Sequence, residues 1–446
     1  MLLKKCQIIL LIMFSLGVAK ISAAQDTLSL SLSDALRLAQ DNNLNIKNSQ
    51  LDLKIAQKKI WETIAIGLPH IDGTAKYQFI PKVPTLPASN FDPNASEGAV
   101  LELGVKQNIV YDLSVSQLIF NGAYLIGLKA SKVYRNLSEE TLEKAQLEIN
   151  ESVTNTYYMI LVGEESRKIL NANLKNVSKT FDDIKEMYKQ GFVEKTDADQ
   201  LELTANTIRN AISQIDNNLD MASRLLKIHL GLSENTNIIL TDKLEMEDNQ
   251  VAKLRSLASE PFILEKSVDY KMLTTVELLA KYDYKREITN SLPTIAAFYN
   301  HQEKWKSPVF DFAPKDIFGI NLSLPIFSSG QRLASVSQKK MALEKATNNK
   351  LYAGNTLLMQ SSQYQNDLRT KLEKFQIQKK SKELSDDIYQ RTLEKYKQGI
   401  SSSMELMTIQ NQYLNNLTNY FQGIYDVVGA KTKLEKLFNI NQINSK

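Results

Sequence analysis

The chain has 446 residues, of which 43% are hydrophobic and 23% charged, with 16 glycines, 10 prolines and one cysteine. Length excludes a small stapled scaffold, and the ordinary balance of apolar and charged residues excludes both general disorder and a polytopic helical membrane protein. The formal charge of +4 is too small for a surface that neutralises phosphates, so no nucleic-acid partner is expected.

The first predicted element is a secretory signal peptide over residues 1–24. Lys4 and Lys5 precede an apolar run from Ile8 to Phe14, and Ser22-Ala23-Ala24 supplies small residues ahead of Gln25, the three parts of an export signal. The run is too short to anchor the chain. Its removal takes three lysines and leaves 51 basic against 50 acidic residues. Cys6, the only cysteine, lies before the apolar run. No lipid anchor is expected, and the exported chain is left without disulfides, a thiol nucleophile or a thiolate metal site.

Scarce glycine and proline favour long uninterrupted elements, and those elements come twice. Tyr188-Lys189-Gln190-Gly191 returns as Tyr396-Lys397-Gln398-Gly399 at an offset of 208. Residues 114–120 match 321–327 at 207, and Leu68-Pro69 matches Leu292-Pro293 at 224. The first repeat spans 25–240 and the second 241–446. The jump in offset means 17 extra residues between Pro69 and Phe120 of the first copy, which marks a loop.

In the first repeat a helix leads to strands over about 70–80 and 105–119, then a long helix over 122–190 and a helix over 195–231. The strands are read from alternation: Ile71, Gly73, Ala75, Tyr77 and Phe79 against polar neighbours, then Ile109, Tyr111, Leu113 and Val115. The long helix lacks proline and would measure on the order of 100 Å. Leu201, Ala205, Ile208, Ile212, Ile215, Leu219, Ala222 and Leu226 step by four and three, the 3.5-residue period of coiled-coil helices.

The second repeat is read as a helix over 262–290, strands over about 294–304 and 316–326, a long helix over 330–397 and a helix over 402–438. The strand from Thr294 is the weakest, since both faces mix polar and apolar residues. Leu417, Phe421, Ile424 and Val428 add a second apolar stripe to the last helix, so that helix has neighbours on both sides, in a closing tube or a simple bundle. Each strand has roughly the 9 to 11 residues that cross a bilayer at a tilt. Four strands cannot close a barrel and open edges are not tolerated in hydrocarbon. Three copies make the smallest open pore if the strands insert, whereas soluble hairpins are the other reading of the same alternation.

At this point the chain resembles the TolC family of outer-membrane efflux and secretion channels. The opening Leu30 to Ala39 with Asn42-Asn43 is similar to that family's first helix, Leu68-Pro69 to its helix-to-strand junction, Ser116 to Gly122 to its strand-to-helix exit, and the tandem duplication to its internal repeat. The resemblance implies a mainly α chain with four transmembrane β-strands per protomer, long coiled-coil helices and a trimeric α/β barrel. It also implies a homotrimer in contact with outer-membrane lipid and reaching into the periplasm. A periplasmic adaptor (membrane fusion) protein and an inner-membrane pump are its implied partners, for efflux or type I secretion. The rival is a soluble periplasmic coiled-coil adaptor or scaffold, although no compact β-rich carrier domain interrupts these helices.

The resemblance further puts adaptor-docking tips at Gly191 and Phe192 and at Gly399 and Ile400. Gly191 and Gly399 equally fit helix C-caps, and both readings can hold. It puts the periplasmic entrance constriction at Glu405 and Thr408, with Asp197 and Asp199 as lesser candidates. Thr408 departs from the family's second acid, which weakens a cation-binding ring, and Glu405 equally fits a solvated residue near a helix N-terminus. No enzyme is expected. His70, His229 and His301 are scattered, and no phosphate loop, dinucleotide fingerprint or serine elbow occurs, so no cofactor or metal is implied. Trp305 fits an interfacial aromatic girdle or a lone surface tryptophan.

Overall fold

A computed structural model describes residues 27–91, 93–94, 96–308 and 311–440. The expected signal peptide with Cys6 lies outside them. Chain order gives strand β1 (Thr27–Leu30), helices α1 (Leu32–Asn42) and α2 (Leu44–Ala65), strands β2 (His70–Phe79), β3 (Thr85–Pro87), β4 (Val100–Glu102) and β5 (Gln107–Phe120), then helices α3 (Gly122–Lys189) and α4 (Lys195–Leu230). Strand β6 (Asn237–Leu240), helices α5 (Asp248–Leu257) and α6 (Val268–Thr289), strands β7 (Thr294–Lys304) and β8 (Asp316–Ser323) and helices α7 (Gln331–Lys397) and α8 (Ser403–Leu437) complete it. Two compact units result, and neither is one sequence half. One holds residues up to 47, 145–262 and from 360 on, and the other 48–144 and 263–359.

In the first unit the 3.5-period seam is buried. Val177 and Ile184 of α3 pack with Ala198, Leu201, Ala205 and Ile208 of α4, flanked by Leu170, Leu174, Phe181 and Ile212. Both stripes of α8 are buried too, Val427, Ala430 and Leu434 on one and Leu417, Phe421, Ile424 and Val428 on the other. Burying both removes two apolar faces from water at about 25 cal/mol per Å². Polar bonds set the register beside them: Thr432 donates to Asn155 at 3.3 Å and Lys436 to Glu151 at 3.0 Å.

The chain's start is tied to this unit. Ser31 caps α1 by accepting from the Asp34 N–H at 3.2 Å and donating to its carboxylate at 2.6 Å, a pairing that satisfies free amides of the first turn. Asn43 ends α1, and its side chain donates to the His229 carbonyl at 2.8 Å while accepting from the Asn45 N–H at 2.9 Å. Strand β1 pairs in parallel with β6. Buried Tyr157 of α3 donates to the Leu30 carbonyl and meets Asp242, both at 3.0 Å, and Asp242 also accepts from the Leu32 N–H at 2.8 Å.

In the second unit four antiparallel strands form one sheet in the order β2-β5-β7-β8, with β3 and β4 as a separate ribbon in the loop between β2 and β5. Asn121 starts α3 by accepting from the Tyr124 N–H at 2.8 Å and ties it to β7 through Thr294 at 3.0 Å.

Three expected boundaries are corrected. The strand expected to reach 326 ends at Ser323. The Gln302 N–H bonds the Lys315 carbonyl at 2.7 Å, so Lys315 and every second residue after it, on to Pro325, direct their backbone groups at β7. Pro325 has no N–H to give, and pairing stops before it. The helix expected from 262 starts at Val268, because Leu264–Lys266 closes as a separate 3₁₀ turn and Ser267 is extended. The strand expected over 105–119 is Gln107–Phe120.

Candidate channel wall and helical tips

The sheet register sorts its side chains by face. Ile71 stands opposite Val115, Val115 opposite Tyr299, and Tyr299 opposite Phe318, so these lie on one face, together with Tyr77, Leu113, Ile320 and their like. The other face carries Asp72, Thr74 and Lys76, then Asp112, Ser114, Asn300 and Asn321. A two-residue period with one apolar and one polar face suits a wall between hydrocarbon and water. Tyr299 and Phe318 stack at 4.5 Å on the apolar face. On the opposite face the Phe298 ring covers Gly319, where a Cβ would come within 2.7 Å of ring carbon.

Strand β7, whose sequence mixes polarity on both faces, lies between β5 and β8. Its polarity is graded along the strand rather than across it. Toward its end, His301 bonds Asp316 at 2.7 Å, Glu303 pairs with Lys315 at 2.8 Å and Lys304 with Asp311 at 2.8 Å. Ionic pairs gather where the strand runs into its loop, as at a membrane–water boundary. Trp305 follows, exposed, with the Lys306 ammonium 4.7 Å from its ring centre. Among the described residues, strands β2 and β8 each keep one unpaired edge. Among the described residues no helix is long and apolar enough to cross a membrane, and no group of His, Cys, Asp or Glu could hold a metal ion.

The two repeated glycines close two alike turns. At the first, φ is +79° at Gly191, whose N–H bonds the Tyr188 carbonyl at 2.9 Å, while the Phe192 N–H bonds the Met187 carbonyl at 3.0 Å. At the second, φ is +72° at Gly399, with Gly399 bonded to Tyr396 and Ile400 to Lys395, both at 2.9 Å. This paired closure at the end of a helix needs a left-handed residue, which glycine supplies at least cost. Phe192 is 72% exposed and Ile400 70%, so each turn presents one large apolar side chain to water.

The helices that leave the tips differ. Ser402 caps α8 by accepting from the Glu405 N–H at 3.2 Å, and the Ser401 hydroxyl donates to the Glu405 carboxylate at 2.6 Å. At α4 the corresponding Glu194 makes no side-chain cap, and Asp197 sits half-buried in the first turn. Thr408 is exposed, with its hydroxyl turned back to the Met404 carbonyl at 2.9 Å. A groove of about 660 Å³ runs between the starts of α4 and α8, lined by Asp199, Leu203 and Thr207 on one side and Met404, Met407 and Asn411 on the other. Asp199 thus faces this groove, whereas Asp197, Glu405 and Thr408 do not line it.

Sequence reasoning misses the Tyr157–Asp242 anchor and the β1–β6 pair. Strands of four residues carry no readable period, and a tyrosine inside a long helix gives no sign of a partner 85 residues on. The Ser402-x-x-Glu405 spacing was the available signal for the α8 cap.

A family model described as outer membrane efflux protein matches residues 35–232 and 279–439. No curated protein matches the chain. Among solved structures, the CmeC outer membrane channel of Campylobacter jejuni superposes with a TM-score of 0.76 at 17% identity, covering 93% of this chain and 87% of that one. The outer membrane protein VceC of Vibrio cholerae gives 0.70 at 14%, covering 92% and 96%. The MtrE outer membrane channel of Neisseria gonorrhoeae, in its open state, gives 0.71 at 13%, covering 93% and 91%. At such identities the likeness is one of fold. The family match spans most of the sequence, from the first helix through both repeats, and by it the chain belongs to the outer membrane efflux protein family, whose members are channels and not enzymes.

Proposed function

We propose that this efflux channel component works as a passive homotrimeric conduit, with the four-stranded sheet as one third of a barrel in the outer membrane and the long helices reaching into the periplasm. The observation that carries this reading is the sheet itself, apolar on one face and polar on the other, with two edges that the chain leaves unpaired. Unpaired amides in hydrocarbon cost several kcal/mol each, so a sheet of this kind calls for sister subunits. A soluble adaptor or scaffold would leave the apolar face in water with nothing to cover it.

In this reading Phe192 and Ile400 give a periplasmic adaptor its apolar footholds, and the adaptor joins the tube to an inner-membrane pump that drives transport. Glu405, with Asp197 as a lesser contributor, biases the periplasmic entrance toward cations, and Thr408 adds no charge there. The test is fractionation of cells expressing the full chain, with heat-resistant trimers in the outer-membrane fraction, conductance in planar bilayers and co-purification with the cognate pump as expected results. A monomer in plain buffer that leaves vesicles sealed would overturn the conduit and favour a periplasmic strut.

A further inference from the structure

We propose that the open edge of β8 in one copy pairs with the open edge of β2 in the next in a single register, set by the internal repeat, that places Asn321 opposite Lys76. The proposal rests on the trimeric reading above and names the residues that meet at its seam.

The contact between repeats already exists once inside the chain. Strand β5, the second strand of the first repeat, pairs with β7, the first strand of the second repeat, and Ser114 lies opposite Asn300. In a ring of like repeats, the same contact recurs where β8 of one copy meets β2 of another. The sequence offsets carry the register across. Residues 114–120 map onto 321–327, and Leu292-Pro293 maps back onto Leu68-Pro69, so Ser114 becomes Asn321 and Asn300 becomes Lys76.

Two linked features of the sheet agree with this alignment. It sets Phe318 against Phe79, Ile320 against Tyr77 and Leu322 against Ala75, all on the apolar face, while Asn321 and Lys76 share the polar one. A slip by one residue would turn every apolar side chain of one strand toward water. The free hydrogen-bonding groups also match. Lys315 and alternate residues through Ser323 point at β7, so Phe318, Ile320, Leu322 and Leu324 direct their backbone outward. On β2, Ile80 donates to the Lys106 carbonyl, so the even residues face β5 and Tyr77, Ala75 and Gly73 face outward.

Pro325 fits the same scheme. Its missing N–H falls on the β7 side, where pairing within the chain ends, and leaves the outer edge intact. Leu324, which lies beyond the end of β8, gains Gly73 as a partner across the seam, so the strand is longer in the assembly than in the single chain.

Slips by two residues keep the faces, and they are what the experiment must separate. Asn321 and Lys76 are a pair whose backbones do not bond each other across the seam, where Cα atoms stand about 4.5 Å apart. That lies inside the disulfide range, whereas diagonal neighbours at about 7–8 Å do not. Cys6 is the only native cysteine, so introduced pairs report cleanly. In the full chain in outer membranes, Asn321→Cys with Lys76→Cys should give covalent dimers and trimers on mild oxidation, at least tenfold more than Asn321→Cys with Thr74→Cys or with Gln78→Cys. Preferential linking of a slipped pair, or none at all in a protein that still forms heat-resistant trimers, overturns the register alone. Monomers in every variant and in the parent overturn the trimer as well.

Discussion

The Ser401 hydroxyl donates to the Glu405 carboxylate at 2.6 Å, four residues on and across the start of α8. The carboxylate thus has a structural task, since it lies in the first turn of a helix whose amide end favours negative charge, and the entrance role proposed for it comes in addition. Two variants separate the tasks. Glu405→Gln removes the charge and keeps a side chain that can still accept from Ser401, whereas Ser401→Ala keeps the charge and removes the bond. The expected outcome in planar bilayers is loss of cation preference for Glu405→Gln only, with stability changed by less than about 1 kcal/mol in either variant. Equal selectivity in Glu405→Gln and the parent would leave Glu405 with its structural task alone.

Tyr157 fastens β1 and the segment after β6 to α3. Its phenol is buried beside Asp242, and burial first, then the neighbouring carboxylate charge, push it well above the ordinary tyrosine range. A phenol whose pKa is raised on folding keeps its proton in the folded state and loses it sooner when unfolded. Its contribution is therefore complete below about pH 10 and is lost as pH rises toward the folded value. Tyr157→Phe is expected to cost about 1–2 kcal/mol at neutral pH, from the hydrogen bonds lost to the Leu30 carbonyl and to Asp242, which keep the Thr241 and Leu32 N–H groups as donors, and to flatten the alkaline fall in stability. Urea denaturation between pH 7 and 11 measures both, and an unchanged alkaline slope would refute the assignment.

The left-handed glycines differ in what surrounds them. At Gly191 a Cβ would meet nothing within 4 Å, so Gly191→Ala carries only the conformational cost, on the order of 1–2 kcal/mol. At Gly231, φ is +65° and a Cβ would run into the Asn42 backbone carbonyl, beside Asn43, whose side chain donates to the His229 carbonyl. Gly231→Ala must move backbone and is expected to lower the unfolding midpoint more than Gly191→Ala does. The reverse order in thermal unfolding would count against this packing.

Periodic segments are legible because one environment acts along a whole face, the buried helix seam for Leu201 to Leu226 and the apolar face of the sheet, exposed in the single chain, for Ile71 to Phe79. The steps from Leu201 to Leu226 and the alternation from Ile71 to Phe79 are each the imprint of one continuous face. Strand β7 is less so, since the polarity of His301, Glu303 and Lys304 belongs to side-chain pairs at its end and not to one side of the sheet. The stop at Ser323 depended on which neighbour Pro325 faces, which only the register reveals. For the tips, Gly191 and Gly399 announced themselves by repetition, but the groove that takes Asp199 and Met404 joins helices two hundred residues apart and leaves no local trace.

Facing lipid or water should decide what each strand position tolerates. Ile320 and Asn321 are neighbours on β8, and their partners Ala297 and Ala296 put them on opposite faces. If the apolar face meets acyl chains, Ile320→Arg places a charge in hydrocarbon at a cost of about 2–4 kcal/mol near the midplane, while Asn321→Glu points into an aqueous lumen at little cost, opposite the Lys76 ammonium in the proposed register. In the proposed trimer the first penalty is met three times in one assembly. Ile320→Arg is therefore expected to reduce heat-resistant trimers in the outer-membrane fraction several-fold, and Asn321→Glu to leave their yield near that of the parent while raising single-channel cation conductance. A soluble sheet would instead bury Ile320 or leave both positions in water, and equal yields of the two variants would favour it.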